Sequence, residues 1–548
     1  MIPGYNCLPQ KSGIMHSIEK INHAERELLE SCGDHINIIK SPCQKENETL
    51  GYRCRCAFQM IQLPRDEKAC ETQFFYAMRQ NKKPIILTEQ PYFPIAIPQI
   101  QYLMNAFLND VLNKRSILIS STSIINDRFQ YNYPHLRRSL SSISFHASWD
   151  GKTDIFITLN YSTSFCDDHM KEWRKEAQFV CDDILASSPF MLSGLIGRSK
   201  KKKAVVFSKF YLLSNECNHD SLQDESKQST NIDHDSIPIV VRDTIYINQL
   251  LTHSDPSLTS TNFEDNLHTQ TYDKTNEFKV QYRKPLDAFH HPNGKVMMKA
   301  LYWILKKAKE ICVPKSHMSL LELYCGCGAH TIPIAKLNAF QKIVAVEMDS
   351  RLVKACRENA ILNNLKLSSD SITKQYKTNP SHPTCSTLVD VVSGDAADIV
   401  KHIIQTKKKN ANQNLSRNPN SSPVIIPLKK TEAREKKGRI VNDNQLEHTL
   451  EKPQLKDSLS YRKPWYALKF DVLLVDPPRQ GLGDTVCDFA VQSNEIQHII
   501  YISCGRKALQ RDLNILKEVF DVKECYLMDL FPRTLDAVES LVHLNRRC

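Results

Sequence analysis

The chain reads as an α/β protein with a doubly wound, Rossmann-like sheet in its C-terminal half and an α+β domain before it. Three observations predict this. Four short apolar runs in the second half, SLLELYCGCG (319–328), KIVAVEMD (342–349), FDVLLVDPP (470–478) and IIYISC (499–504), each run into a turn or a helical pattern. Amphipathic segments, VMMKALYWILKKAKEI and SRLVKACRENAILNN, alternate with them; that alternation is the pattern of a mostly parallel sheet whose ligands sit at the strand C-termini. The first half mixes strand-like and helix-like pieces without that regularity.

Taken in order, residues 1–50 read as a polar, helical lead-in. Residues 51–213 read as the α+β domain. Within it, ISFHASWDGKTDIFITLNY gives two strands around an Asp-Gly turn, a hairpin signal. In DDHMKEWRKEAQFVCDDILAS, Met170, Trp173, Ala177, Val180 and Ile184 recur at helical spacing. Residues 214–275 form a polar insertion or linker around one apolar island, IPIVVRDTIYI (237–247). Residues 276–548 carry the doubly wound domain. It is interrupted at 404–466 by a tract of Lys, Asn, Ser and Glu that reads as a disordered surface insertion.

Composition narrows the function. Of 548 residues, 41% are hydrophobic and 24% charged, which is globular composition for two or three domains. No run of 18 apolar residues appears, so no membrane span is expected. The first forty residues lack an apolar signal core and carry Glu19, Glu25, Glu27, Glu30 and Asp34, which a mitochondrial presequence avoids. A cytoplasmic protein is the expectation, with nuclear or mitochondrial placement left open. The 18 cysteines read as reduced thiols, and their spacing offers no metal-ligand pattern, so no metal is expected. The formal charge of +11 suits a polyanionic partner such as RNA, although solvated lysine tracts supply part of it.

Four motifs carry chemistry. In LLELYCGCGAHTIPIA, Gly326 and Gly328 allow a tight turn and close approach of a ligand to the backbone. Glu347 ends the next strand about 20 residues on, where an acid accepts hydrogen bonds from ribose hydroxyls; the plainer reading is a cap on the following helix. In DVLLVDPPRQGLG the prolines hold Asp476 at the sheet edge, with Arg479 beside it. YISCGRK ends a strand on Cys504, which is either core filler or a thiolate made reactive by nearby cations. MDLFPRTLDAVESLVHL holds Asp536 and Glu539, which are either solvated carboxylates or a general base.

Together these motifs resemble the tRNA (uracil-5-)-methyltransferase family of class I S-adenosylmethionine-dependent enzymes. LLELYCGCG, VDPPRQGL, YISC with its short helix, and the terminal FPRT…E…L carry the resemblance in the catalytic half. GYRCRCAF, LMNAF, ISFHASWDG, EWRKEA and LIGRSKKKK look like the family's N-terminal RNA-binding domain. The resemblance implies a methyl group moved from S-adenosylmethionine to C5 of a uridine, most readily the T-loop uridine of tRNA, by a monomeric enzyme. It implies Cys504 as nucleophile and Glu539 as proton acceptor, with Asp476 and Arg479 positioning the reactants. It also implies a cofactor held by His291, Tyr324, Gly326, Gly328, Ala329, Glu347 and Asp476. Arg53, Arg55, Arg198 and Lys200, the first of the run Lys200–Lys203, become candidates for phosphate contacts, the run reading equally well as a solvated loop.

Four departures from the family pattern stand out. His291 replaces its glutamine and Ala329 its asparagine; Gly-Arg follows Cys504 in place of Asn-Pro; and TLDAVE sets Asp536 where a histidine is usual. Ribosomal RNA as substrate, or a tRNA-binding or folding protein without turnover, are the competing readings. Methylation of base amino groups is disfavoured by Arg479 and leaves Cys504 unexplained.

Overall fold

The computed structural model describes residues 12–33, 35–64, 72–80, 82–88, 92–113, 133–185, 189–190, 192–200, 202–209, 211–212, 239–246, 279–312, 317–368, 387–417, 468–534 and 537–547. The described parts of residues 1–399 and 469–548 form one compact unit, and Val400–Leu468 fall in a second.

A helix, Gly13–Cys32, opens the described chain with Ser12 capping its first turn, and strand β1 (Asn37–Ser41) follows. Seven strands then build the first sheet: β2 (Arg55–Pro64), β3 (Thr72–Gln80), β4 (Lys83–Ile86), β5 (Leu140–Ala147), β6 (Ile155–Tyr161), β7 (Gly194–Arg198) and β8 (Lys203–Phe207). Their order is β4-β3-β2-β5-β6-β7-β8, antiparallel except for β6 with β7. The hairpin expected at Asp150-Gly151 joins β5 to β6. The Asp150 carboxylate accepts from the backbone N–H groups of Lys152 and Thr153, and Gly151 takes the left-handed conformation, φ 66°. The expected helix spans Asp167–Phe179, continues as a π-type turn through Ile184, and buries Trp173, Ala177 and Val180 against this sheet.

The apolar island in the polar linker is a strand, β9 (Val240–Tyr246), paired antiparallel with β10 (Lys279–Pro285). Asp154, fully buried at the start of β6, holds Arg242 of β9 in an ion pair at 2.7 Å. The remainder of the expected linker lies outside the described residues.

The second sheet uses β11 (Ser319–Leu323), β12 (Lys342–Glu347), β13 (Lys366–Leu367), β14 (Leu388–Ser393), β15 (Val472–Val475), β16 (His498–Ser503), β17 (Phe520–Asp529) and β18 (Val538–Arg546). Its order is β1-β17-β18-β16-β15-β11-β12-β14-β13. Strands from β13 to β16 run parallel, and β18 lies antiparallel between β16 and β17. β11, β15 and β16 are buried almost throughout because helices cover both faces, so each reads as a continuous apolar run rather than an alternating one. Strand order reverses between β11 and β15, and at such a switch point a crevice opens beyond the strand C-termini.

The segment read as a lead-in is built into this sheet. β1 adds to it as an edge strand parallel to β17, and the helix Gly13–Cys32 packs on β17 and on the helix Arg506–Leu516. Of the tract read as a disordered insertion, the helix Ala396–Arg417 occupies the beginning, and residues 418–466 lie outside the described residues.

Candidate active site

β11 ends at Leu323, and the chain then turns through three left-handed residues, Tyr324 (φ 65°), Gly326 (φ 57°) and Gly328 (φ 87°). At Gly328 an added Cβ would lie 2.9 Å from Cys356 Sγ, so only glycine fits. At Gly326 it would meet nothing within 4 Å, leaving an open cradle over the turn. The Gly326 N–H donates to Glu347 Oε2 at 2.9 Å, and the Asp349 N–H to Oε1 at 2.8 Å. The capping alternative for Glu347 belongs instead to Asp349, which accepts from the Arg351 N–H. Glu347 is therefore a half-exposed carboxylate fixed at the rim of the turn, the placement a ribose diol needs.

Beneath the turn lies Glu322, buried on β11. Thr331 donates to its Oε2 at 2.6 Å, while Oε1 has no hydrogen-bond partner and lies 3.8 Å from His330 Nδ1. Burial, with repulsion from Glu347, pushes the carboxyl up to about 8 despite the Thr331 hydrogen bond, and burial holds His330 down at about 4. An unsatisfied buried acceptor of this kind fits an ammonium group. The turn, Glu347 and Glu322 thus suit a nucleoside that also carries an amino acid, the chemistry of S-adenosylmethionine. Ala329 borders the turn and lends its carbonyl to the Tyr282 hydroxyl at 2.9 Å.

The reactive side chains meet at the other side of the switch point. Asp476 follows β15, and Cys504 follows β16. In the β16–β18 ladder Ser503 pairs with Ser540, so one step further Cys504 stands opposite Glu539. Glu539 is 5% exposed and lies 3.8 Å from His291 Nε2. Burial, then Glu539 and Glu322, raise Asp476 well above the usual carboxylate range. Burial, then Glu539 and Asp476, push the Cys504 thiol up to about 11, and Arg479 at the sulfur pulls it partway back. This corrects the expectation of a thiolate favoured by nearby cations: one arginine faces two acids in a half-buried pocket, and desolvation dominates.

Two loops are fitted to each other here. The Arg479 carbonyl occupies the space that a Cβ on residue 505 would need, so the Gly505 that replaces asparagine lets the Arg479 backbone approach Cys504 closely. Asp512, fully buried, accepts from the Leu482 N–H and the Tyr501 hydroxyl, each at 2.7 Å, and so ties the loop after Asp476 to β16. Nothing in the local sequence marks Asp512, because its partners lie 30 and 11 residues away.

Two of the arginines expected to contact RNA are engaged within the protein. Arg55 is largely buried and donates to the carbonyls of Ala288 and Leu286 and to His146 Nδ1. Arg53 lies over the Phe531 ring, 5.1 Å from its centroid, and donates to the Arg55 carbonyl. Both guanidinium groups join the first sheet to the 286–293 and 530–534 loops. Arg198 pairs with Asp287 and is a third exposed, whereas Lys200 is exposed. His291, placed by its sequence at the cofactor, faces Glu539. Asp536 lies outside the described residues.

Sheet order, glycine turn and ribose-placed acid define a Rossmann-like domain suited to a nucleoside-bearing cofactor such as S-adenosylmethionine. The family described as tRNA (Uracil-5-)-methyltransferase matches residues 257–379 and 464–547. A tRNA/tmRNA (uracil-C(5))-methyltransferase of Sulfurimonas denitrificans is 26% identical over 258 residues, 47% of this chain and 48% of the relative. One of Pseudoalteromonas atlantica is 24% identical over 453 residues, 82% and 81% of the two chains. A solved structure of Pyrococcus abyssi tRNA (uracil-54, C5)-methyltransferase in complex with S-adenosyl-L-homocysteine has 12% identity and a TM-score of 0.44, covering 96% of this chain and 83% of that one. The chain spans about half the length of the first curated relatives it matches. Through the matched segments, 257–379 and 464–547, the chain is similar to the tRNA (uracil-5-)-methyltransferase family.

Proposed function

We propose that this protein methylates C5 of a uridine in tRNA, most readily in the T-loop, using S-adenosylmethionine and a covalent adduct at Cys504, and that it acts as a cytoplasmic monomer. The observation that carries the reading is the meeting of Cys504, Glu539 and Asp476 on three neighbouring strands beside a cofactor-shaped turn. Uracil C5 is a poor nucleophile until C6 has been attacked. Cys504 adds to C6 as the thiolate, which Arg479 favours, and negative charge moves to the O4 side of the ring. Asp476, whose carboxyl burial raises well above the usual carboxylate range, would in its protonated form donate to a uracil carbonyl as that charge develops. S-adenosylmethionine supplies the methyl group to C5. Glu539 then takes the C5 proton, the C5–C6 double bond re-forms, and Cys504 is expelled.

The target base has to leave its stack to reach this crevice, at a cost of a few kcal/mol. Lys200, which is exposed, and Lys202, which pairs with Asp167, would supply phosphate contacts. Unmodified tRNA incubated with the protein and S-adenosylmethionine, then digested and read by mass spectrometry, is expected to yield 5-methyluridine. The product should vanish with Cys504→Ala. No product from wild type on tRNA, with S-adenosylmethionine still bound, would transfer the reading to ribosomal RNA. Absence of cofactor binding as well would leave a tRNA-binding or folding protein.

A further inference from the structure

Glu539 receives little support at its own side chain. Among the described residues no hydrogen bond reaches its carboxylate, and His291 Nε2, the cation-forming group beside it, stands 3.8 Å away. Its aim therefore depends on the backbone that carries it. Glu539 lies one residue inside the mouth of the β17–β18 hairpin, opposite Met528, and the last pair of that ladder is Asp529 with Val538.

The near side of the hairpin mouth is held from outside the sheet. Three successive carbonyls accept from three separate elements: Leu530 from Asn293 Nδ2 at 3.0 Å, Phe531 from Lys20 Nζ at 2.9 Å, and Pro532 from the Tyr52 hydroxyl at 3.0 Å. Lys20 comes from the N-terminal helix, which the chemistry described above leaves without a role. Its ammonium also pairs with the Asp529 carboxylate, and the two side chains are only 2% and 1% exposed. One ammonium thus grips both the last ladder residue and the first turn of the loop, a directional hold that an apolar contact does not supply. Burying this pair is costly, and burial lowers the Lys20 pKa in spite of Asp529.

We propose that Lys20 and Asp529 are the positioning pair of the proton acceptor, so that the N-terminal helix sets the aim of Glu539 for removal of the C5 proton. The proposal rests on the methyltransferase reading, and two assays separate the fates of the two ideas. With 5-fluorouridine-substituted tRNA, addition of Cys504 and methyl transfer proceed but no C5 proton is available, so trapping does not need the base. With ordinary tRNA, turnover does. Lys20→Met and the apolar pair Lys20→Met/Asp529→Leu, which leaves no lone buried charge, would be compared with wild type, Cys504→Ala and Glu539→Gln.

Both Lys20 variants should trap 5-fluorouridine tRNA at the wild-type rate, keep the wild-type KM for tRNA, and lose turnover by about 10-fold or more, as befits a misplaced general base. On ordinary tRNA they should accumulate the methylated covalent adduct, as is expected of Glu539→Gln. Trapping and turnover that fall together, or wild-type turnover in the apolar pair, would overturn the positioning role. Failure of wild type itself to trap would overturn the methyltransferase reading, and the positioning role with it.

Discussion

Cys504 decides what this site can do, and its protonation is the first property to measure. With the thiol pushed up to about 11, the thiolate fraction at neutral pH is small and rises about tenfold per pH unit until the pH nears that value. Alkylation of Cys504 by iodoacetamide, followed on its own peptide by mass spectrometry, should therefore still accelerate at pH 9–10. Arg479→Ala removes the one group that lowers the value, so its profile should move to higher pH; an unchanged profile would show that the arginine does not act on the sulfur. Glu322 offers a second titration. Held near 8, it is mostly protonated at pH 7 and must ionise to receive an ammonium, so cofactor binding at that pH should release a proton. Affinity for S-adenosylmethionine should then strengthen as pH rises from 6.5 to about 8 and level off above it. Calorimetry in buffers of different ionisation enthalpy would detect the released proton, and Glu322→Gln should abolish it. Cys504, Asp476 and Glu539 were legible in the sequence because each ends or begins an apolar strand. The protonation of Cys504 was not, since it depends on which acids a distant strand brings to the sulfur.

Loops between elements are where this site gains its precision. Asp512 sits in the helix Arg506–Leu516 and satisfies both a backbone N–H of the 476–483 loop and a buried hydroxyl on β16. Asp512→Ala strands both donors, and the expected loss of stability is about 2–4 kcal/mol by chemical denaturation. Gly505→Ala acts differently. Its new methyl group would collide with the Arg479 carbonyl, so the two loops should part, with kcat falling more than global stability does. Equal losses in both would mean that the contact serves folding alone. At this scale the hairpin at Asp150-Gly151 and the helix Asp167–Phe179 were readable, because turn chemistry and helical spacing are local signals. The roles of Arg53 and Arg55 were not: a basic residue in sequence shows its charge and not the carbonyls that will consume its donors.

Across the whole molecule, the N-terminal segment and the C-terminal hairpin are one structure. β1 covers the edge of β17, where Asn37 Nδ2 donates to Glu524 Oε2 across 487 residues of sequence, and Glu524 also receives Trp303 and Lys307. Removal of residues 1–41 would expose β17 as an unpaired edge and free Lys20's partner Asp529 as a lone buried charge. The truncated protein is expected to unfold at a lower temperature and to self-associate on size exclusion; a monomeric, equally stable product would refute this view of the segment. The sequence by itself determined the doubly wound sheet and the glycine turn, and its family resemblance named Cys504 and Glu539 as candidate nucleophile and base, because strand runs, glycine turns and motifs are written within short windows. Only the tertiary structure decided that the N-terminal segment belongs to the second sheet, that Arg53 and Arg55 spend donors on partners within the protein, and that burial and two acids push the Cys504 thiol up. Each of these depends on burial and on partners from other elements, hundreds of residues away for the N-terminal segment, Arg53 and Arg55 and on neighbouring strands for Cys504, and none is expressed in a local pattern.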